Sequence, residues 1–391
     1  MGLYKLIYIF FGVIFLSCSN TDKKNNQSSY LNFTIKKDTS VRYAKRFSVS
    51  QNQQFKLIYL FGNIDINDTT AVYVILKNSA LSLKKAKNEF IFKQYVKKIA
   101  SLSSVYTNML YQLNELQHIV AIENSDYYCN TEVLKKIANN QIIELVKSPK
   151  IDVEKTISLN PDIIFSFGMG NDESSENKKI NQANIPTVLC LDHLEESPLA
   201  RAEWIKFYAA FVGKETLADS IFKTVEKNYL ELKLIASKTK TQPTVFTEIK
   251  YGDVWYAPAG KSFAATFLKD ANANYIFKNN LKTGSLNLSF EEVYSKAKDA
   301  NFWLNFASVA SKKELLAFEP RYANFKAFKT GNLFNNNKTI NSKGYSNYWE
   351  TGILYPNKIL SDLILIFHPE MKNLTEANID KRELFYYKKL E

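Results

Sequence analysis

Apolar residues recur at strand-like and helix-like spacings in alternation along the chain, and one long block keeps the helical spacing throughout. That block covers residues 197–240. Ser197 followed by Pro198 is an N-cap with proline in the first helical turn, where its missing N–H costs nothing. Trp204, Phe207, Tyr208 and Phe211 then repeat at three- and four-residue steps, as a half-buried helix requires. Gly213 permits a break, and a second helix carries Leu217, Ile221, Val225, Leu230, Leu232 and Leu234. The pattern predicts a rigid helical strut between two lobes.

Before the strut, residues 44–77 alternate apolar and polar positions between turns such as Asn67-Asp68-Thr69-Thr70, which predicts an antiparallel β meander. From residue 97 the rhythm changes. Strands are expected at 98–102, 118–122, 162–167 and 186–191, separated by helices that begin near Ser103, Thr131 and Glu154. That alternation calls for a mostly parallel sheet covered by helices. The scheme repeats after the strut, with strands at 244–248 and 302–306 and helices near 261–270 and 290–296. The helix–turn–strand at 290–306 echoes the one at 153–167, a short internal repeat that fits two similar lobes.

Composition permits two domains: 391 residues, 46% hydrophobic and 23% charged. The net charge of +12 is spread along the chain without a basic block interleaved with aromatics, so it describes a solvated surface and not a nucleic-acid partner. The N-terminus adds a signal of its own. Lys5 precedes an apolar run from Leu6 to Leu16, too short for a bilayer span of about 20 residues and suited to an export signal. Ser17-Cys18 follows, then a polar stretch to about residue 40. The run resembles a bacterial lipoprotein signal, which implies cleavage before Cys18, lipidation of its thiol and a flexible leader over 18–40. Cys129 and Cys190 are expected to stay unpaired, since two cysteines in so long a chain make no disulfide framework.

Enzyme signatures are missing. Gly260-Lys261-Ser262 resembles the end of a phosphate-binding loop, but Trp255 stands where its first glycine belongs. His118, His193 and His368 are far apart, so no metal site is expected. His193, at a strand end beside Asp192 and Glu195, keeps a ligand role open. Aromatic side chains gather instead at the expected carboxyl ends of strands: Tyr127, Tyr128, Phe167, Trp255, Tyr256, and Tyr345, Tyr348 and Trp349 further on. Ligands of open α/β sheets sit at those edges, and facing edges of two lobes would suit a large, flat, partly polar molecule.

Several ordered stretches carry a resemblance: Lys98-Ile99-Ala100-Ser101-Leu102-Ser103-Ser104, Leu159-Asn160-Pro161-Asp162-Ile163-Ile164, Pro198-Leu199-Ala200-Arg201-Ala202-Glu203-Trp204-Ile205-Lys206-Phe207, Asp253-Val254-Trp255-Tyr256, Leu288-Ser289-Phe290-Glu291, Trp303-Leu304-Asn305 and Tyr348-Trp349-Glu350-Thr351-Gly352. Together they resemble the class III substrate-binding lipoproteins of ABC importers, of the Bacteroidetes type, which carry iron-siderophores, haem or cobalamin. The resemblance implies an α/β protein of two lobes, each a mostly parallel sheet flanked by helices, joined by a long interdomain helix. The implied parts are a signal peptide at 1–17, a leader at 18–40, an N-terminal lobe with the meander at 41–197, the strut at 198–240 and a C-terminal lobe at 241–391.

It further implies a monomer that holds a metal-chelate ligand between its lobes and uses no cofactor and no catalysis of its own. The ligand contacts would be Tyr127, Tyr128, Phe167, Trp255, Tyr256, Tyr348 and Trp349. Permease subunits would dock at Glu173 and Glu291, and a lipid on Cys18 would tether the protein in the cell envelope. Two positions depart from the family pattern. Ser285 stands where cobalamin-binding relatives place an aromatic. Tyr355 stands where relatives often carry an arginine, so the ligand is either less acidic or met by Lys250 or Arg201. A structural or adhesion lipoprotein on the same fold is the alternative.

Overall fold

The computed structural model describes residues 36–37, 40–62, 69–84, 88–148, 150–168, 175–373 and 383–391. Cys18, most of the leader and Glu173 lie outside these residues. In the N-terminal sheet, β1 (Phe47–Gln51), β2 (Phe55–Phe61) and β3 (Thr69–Leu76) are antiparallel neighbours, as the turns predict. A fourth strand, β4 (Glu89–Phe92), pairs parallel to β3. The sheet is therefore mixed rather than a plain meander, because the chain crosses over between residues 77 and 88 instead of turning back.

The N-lobe sheet contains β5 (Ile99–Ser101), β6 (Ile119–Ile122), β7 (Ile143–Glu144), β8 (Ile163–Phe167) and β9 (Thr187–Cys190). All are parallel, in the order β9-β8-β5-β6-β7. The strut follows as α1 (Pro198–Glu203), α2 (Ile205–Val212) and α3 (Glu215–Ala236). Beyond it, β10 (Thr244–Thr247), β11 (Asn274–Tyr275), β12 (Phe302–Leu304) and β13 (Leu333–Asn335) are parallel. With an antiparallel edge strand β14 (Lys388–Lys389), they form the C-lobe sheet in the order β11-β10-β12-β13-β14. In each lobe the strand order reverses beside the first strand, between β5 and β8 and between β10 and β12. Crevices at such switch points are where open α/β sheets hold ligands.

The strut differs from a half-buried helix in one respect: every residue of α2 is buried. The N-terminal sheet covers the side that would otherwise face water. Phe47 packs on Trp204 and Phe207 at 5.2 and 5.4 Å, and Tyr73 on Phe211 at 5.4 Å. Gly213 closes α2 at φ +72, where a Cβ would also meet the Tyr95 ring at 2.9 Å. The 22 residues of α3 span about 33 Å at 1.5 Å per residue. Its first half puts Ala218, Phe222 and Val225 into the N-lobe core, and its second half puts Tyr229, Leu232 and Ala236 into the C-lobe core.

Three carboxylates fasten the incoming chain to this strut. Glu203 accepts the N–H groups of Arg42, Tyr43 and Ala44 at 3.0, 2.6 and 2.9 Å. Glu195 accepts those of Lys45 and Arg46, both at 3.0 Å, and the Trp204 indole at 3.2 Å. Glu226 pairs with Arg42 and accepts from the Tyr43 hydroxyl at 2.5 Å. A second crossing joins the lobes. After α4 (Asn347–Thr351), Ile353 and Leu354 are buried in the N-lobe core, and α5 (Pro356–Phe367) returns to the C-lobe core through Ile359, Leu360 and Leu363.

Candidate functional site

The carboxyl edges of both sheets carry polar residues directly after their strands. On the N-lobe these are Glu123 after β6 and Asp192 and His193 after β9, with the apolar Phe167 at the end of β8. On the C-lobe they are Glu248 after β10 and Asn305 after β12. Glu248 and Asn305 take left-handed backbone angles, φ +66 and +64, a region asparagine enters readily and glutamate seldom does. Two indoles hold the backbone at Thr247 and Glu248. Trp303 Nε1 donates to the Glu248 carbonyl at 2.8 Å, and Trp255 Nε1 to the Thr247 carbonyl at 3.0 Å. Tyr387 donates to Asn305 Oδ1 at 3.0 Å, and Asn305 Nδ2 lies 3.4 Å from Glu248 Oε1.

Burial governs the charges at these edges. It pushes the Glu123 carboxyl up to about 8, against hydrogen bonds from Tyr128 and backbone amides that pull it down, and Glu350 adds to the rise. It pushes Glu248 up to about 7, with Asn305 opposing. His193 moves down from the usual imidazole range, first through burial, with Arg201 and Arg46 adding to the drop and Asp192 opposing it. Arg201 reaches Asp192 at 3.4 Å and lies over the C-lobe Phe263 ring at 4.5 Å. The buried Tyr106 hydroxyl is raised chiefly by desolvation, and Asp192, Arg201 and Glu123 all act on it. Those three groups therefore share one neighbourhood. Among the described residues, Asp192 Oδ1, Arg201 Nε and both ring nitrogens of His193 are buried without a hydrogen-bond partner. Orphaned buried polar atoms are rare in native proteins, and four of them fall on three neighbouring residues at this edge.

Loop 124–130 of the N-lobe meets segment 341–350 of the C-lobe. Glu350 accepts the N–H groups of Cys129 and Asn130 at 2.6 and 3.2 Å. Asn341 Nδ2 donates to the carbonyls of Asp126 and Tyr128 at 2.8 and 3.0 Å. The Tyr127 and Tyr345 rings meet edge to face at 5.4 Å.

The aromatics expected to meet ligand divide into two sets. Phe167 (53% exposed), Tyr256 (46%), Tyr127 (45%) and Trp349 (43%) are open to solvent, and Phe167 stacks on His193 at 4.1 Å. Tyr128, Trp255 and Tyr348 are buried within the lobes instead. Tyr128 donates to Glu123 at 2.7 Å, Trp255 packs on Trp303 at 5.9 Å and Tyr322 at 5.8 Å, and Tyr348 meets Tyr386 and Tyr387. The reason is plainest at Trp255 and Tyr256: successive side chains of a strand face opposite ways, so one is core where the other is surface.

Glu291 is 72% exposed and accepts from Arg321 Nη1 at 2.9 Å. Its neighbour Glu292 is taken by a capping box with Ser289. Gly260-Lys261-Ser262 is a helix cap: Ser262 accepts from the Ala265 N–H, and a Cβ on Gly260 would come within 2.3 Å of the Asn280 carbonyl. Cys129 and Cys190 are free thiols. Asp192 figures in the sequence only as a neighbour of His193, and Glu123 and Glu248 carry no sequence signal beyond being acidic residues directly after an apolar strand.

Two parallel sheets presenting their carboxyl edges across a bridging strut make a two-lobed binding protein. The periplasmic binding protein family matches residues 99–338, from β5 to just past β13, and the chain belongs to that family. The N-terminal sheet lies outside the matched residues. An uncharacterized lipoprotein of Methanocaldococcus jannaschii is 33% identical over 242 residues, 61% of this chain and 56% of that relative. The chain thus spans little more than half of that relative's length. An uncharacterized ABC transporter substrate-binding lipoprotein of Bacillus subtilis is 25% identical over 227 residues, 56% of this chain and 68% of its own. Among solved structures, a periplasmic binding protein from Veillonella parvula superimposes with TM-score 0.56 at 14% identity, covering 71% of this chain and 93% of its own. A periplasmic heme-binding protein from Roseiflexus sp. RS-1 gives 0.54 at 15% identity, covering 70% and 98%. At such identities these structures share the fold.

Proposed function

We propose that the protein is a lipoprotein, tethered in the cell envelope through Cys18, that captures a ferric siderophore, haem or corrinoid between its lobes. It delivers that ligand to an ABC permease docking at Glu173 and Glu291. The observation that carries the reading is the group of partnerless buried atoms on Asp192, His193 and Arg201 at the edge where α/β sheets hold ligands. Exposed Phe167, stacked on His193, offers a ring face beside them. The outward-facing Glu291 supports the docking role, since rim charges steer encounter more than they add affinity. Lipoprotein relatives, one of them an ABC transporter substrate-binding protein, support the setting.

The test is a visible absorption spectrum after incubation with haem, cobalamin and a ferric hydroxamate and removal of free ligand. A retained band at one-to-one stoichiometry is expected for one of the three. Blank spectra for all three, with import unaffected by alanine at Glu173 and Glu291, would turn the reading toward a structural or adhesion lipoprotein.

A further inference from the structure

Glu291 lies in the first turn of the helix Phe290–Ala297, its side chain open to water. An exposed glutamate samples many rotamers and loses that freedom when a partner grips it. This one is gripped already, on one oxygen. Arg321 Nη1 donates to Glu291 Oε1 at 2.9 Å, while Oε2 has no partner among the described residues. Arg321 is itself held fast. Its Nε and Nη2 make a fork on the two oxygens of Glu319, both at 2.8 Å, and its guanidinium lies 3.9 Å over the Phe290 ring. Lys250 braces Glu319 in turn at 3.1 Å. A guanidinium–carboxylate fork fixes direction as well as distance, so Nη1 meets Glu291 from a set position. Exposed ion pairs add little to stability, and holding the fold together does not account for that reach. The neighbours suit a contact surface: Phe318, one residue before Glu319, and Tyr251, one residue after Lys250, are both exposed. Large exposed apolar side chains among charges mark places where proteins meet.

We propose that Arg321 is a positioning residue for permease docking: braced by Glu319 and Phe290, it holds the Glu291 carboxylate in place and leaves Oε2 for a cationic donor of the partner. The ordering that docking would otherwise impose on Glu291 is met within the free chain, so less of the contact is lost to side-chain entropy. Arginine is needed for this, because a lysine ammonium cannot hold Glu319 with a fork and reach Glu291 from a fixed plane. The proposal rests on the docking reading above and deepens it.

The test measures uptake in cells whose single copy of the gene encodes the full chain or a variant. The probes are radioiron-labelled haem, a radioiron-labelled ferric hydroxamate and radiocobalt-labelled cobalamin. Glu291→Ala is expected to lower the initial rate roughly tenfold and Arg321→Ala about threefold. Arg321→Lys should not restore the rate. The double variant should be no slower than Glu291→Ala, since Arg321 acts through Glu291. Chelate retention and the urea midpoint, read on the purified variants, separate a lost docking contact from lost structure. Should Arg321→Ala fail to fold, Arg321→Lys, which keeps the charge and loses the fork, decides in its place. If no probe enters wild-type cells, or Glu291→Ala costs nothing, the docking reading falls and the role of Arg321 falls with it. If Glu291→Ala slows uptake but Arg321→Ala leaves it unchanged, speeds it, or slows the double variant further, the positioning role alone is overturned.

Discussion

The two lobes share a strand order and a switch point, yet they hold their carboxyl edges by different means. In the C-lobe the edge rests on a stack of rings. Trp303 lies 4.8 Å from Phe246, 5.0 Å from Tyr322 and 5.1 Å from Phe325, and its indole N–H fixes the strained Glu248 carbonyl. In the N-lobe the edge is ionic and unfinished: Asp192, Arg201 and His193 keep partnerless atoms, and Phe167 stands out into solvent. Aromatic packing is rigid and dry, so it suits a wall whose backbone must stay strained. Unsatisfied polar atoms are costly unless something completes them, so they suit the wall that recognises. Under the proposed capture function, the difference casts the C-lobe as the frame and the N-lobe as the recognising wall.

Substitutions test that division in order of expected effect. Trp303→Ala removes one of the two indoles of the C-lobe stack and the donor to Glu248, and should cost roughly 3–5 kcal/mol, read as a lowered urea midpoint. A variant of unchanged stability would mean that the rings do not set the edge. Glu203→Ala leaves three backbone N–H groups without their acceptor and should cost about 2–4 kcal/mol by the same measurement.

Glu248→Gln bears on pH. The folded-state values of Glu248, about 7, and Glu123, about 8, lie above the ordinary 4.5. The folded protein therefore keeps protons that the unfolded chain has released. Their stabilisation is complete below about 4.5 and is lost as pH rises through 7 to 8. Replacing Glu248 by Gln should flatten that decline by on the order of 1–2 kcal/mol between pH 5 and pH 8, measured by urea titration at both. An unchanged slope would place the titration elsewhere. Phe167→Ala should move stability by less than about 0.5 kcal/mol, as exposed positions do. Chelate retention should nevertheless fall about tenfold, in keeping with the area an aromatic ring contributes.

Much of this was legible before the fold. The strut, both parallel sheets and the echo between 153–167 and 290–306 followed from periodicity, and the echoed strands prove to be β8 and β12, the pair that flanks the two switch points. The parallel strand β4 was not legible, because four residues after a long polar crossover carry too little pattern. The half-buried reading of α2 failed because nothing in a helix's own spacing says that a second sheet will cover its outer side. At the site, residue type marked aromatics but not direction. Tyr128, Trp255 and Tyr348 sit beside Tyr127, Tyr256 and Trp349 in sequence and point the other way. Glu123 read as the start of a polar loop and Glu248 as the end of a strand, and nothing in residue type alone marks either as buried.

The fastening of residues 42–46 to Glu195, Glu203 and Glu226 has a mechanical meaning. Tension arriving along the chain ahead of Arg42 is delivered to α1, α3 and the turn before them, the parts that both lobes share. Residues 36–37 also pair antiparallel with β1, so part of that load passes into the N-terminal sheet, which packs on α2. Pulled by its N-terminal end, the molecule takes the load on that sheet and on the parts that join its lobes.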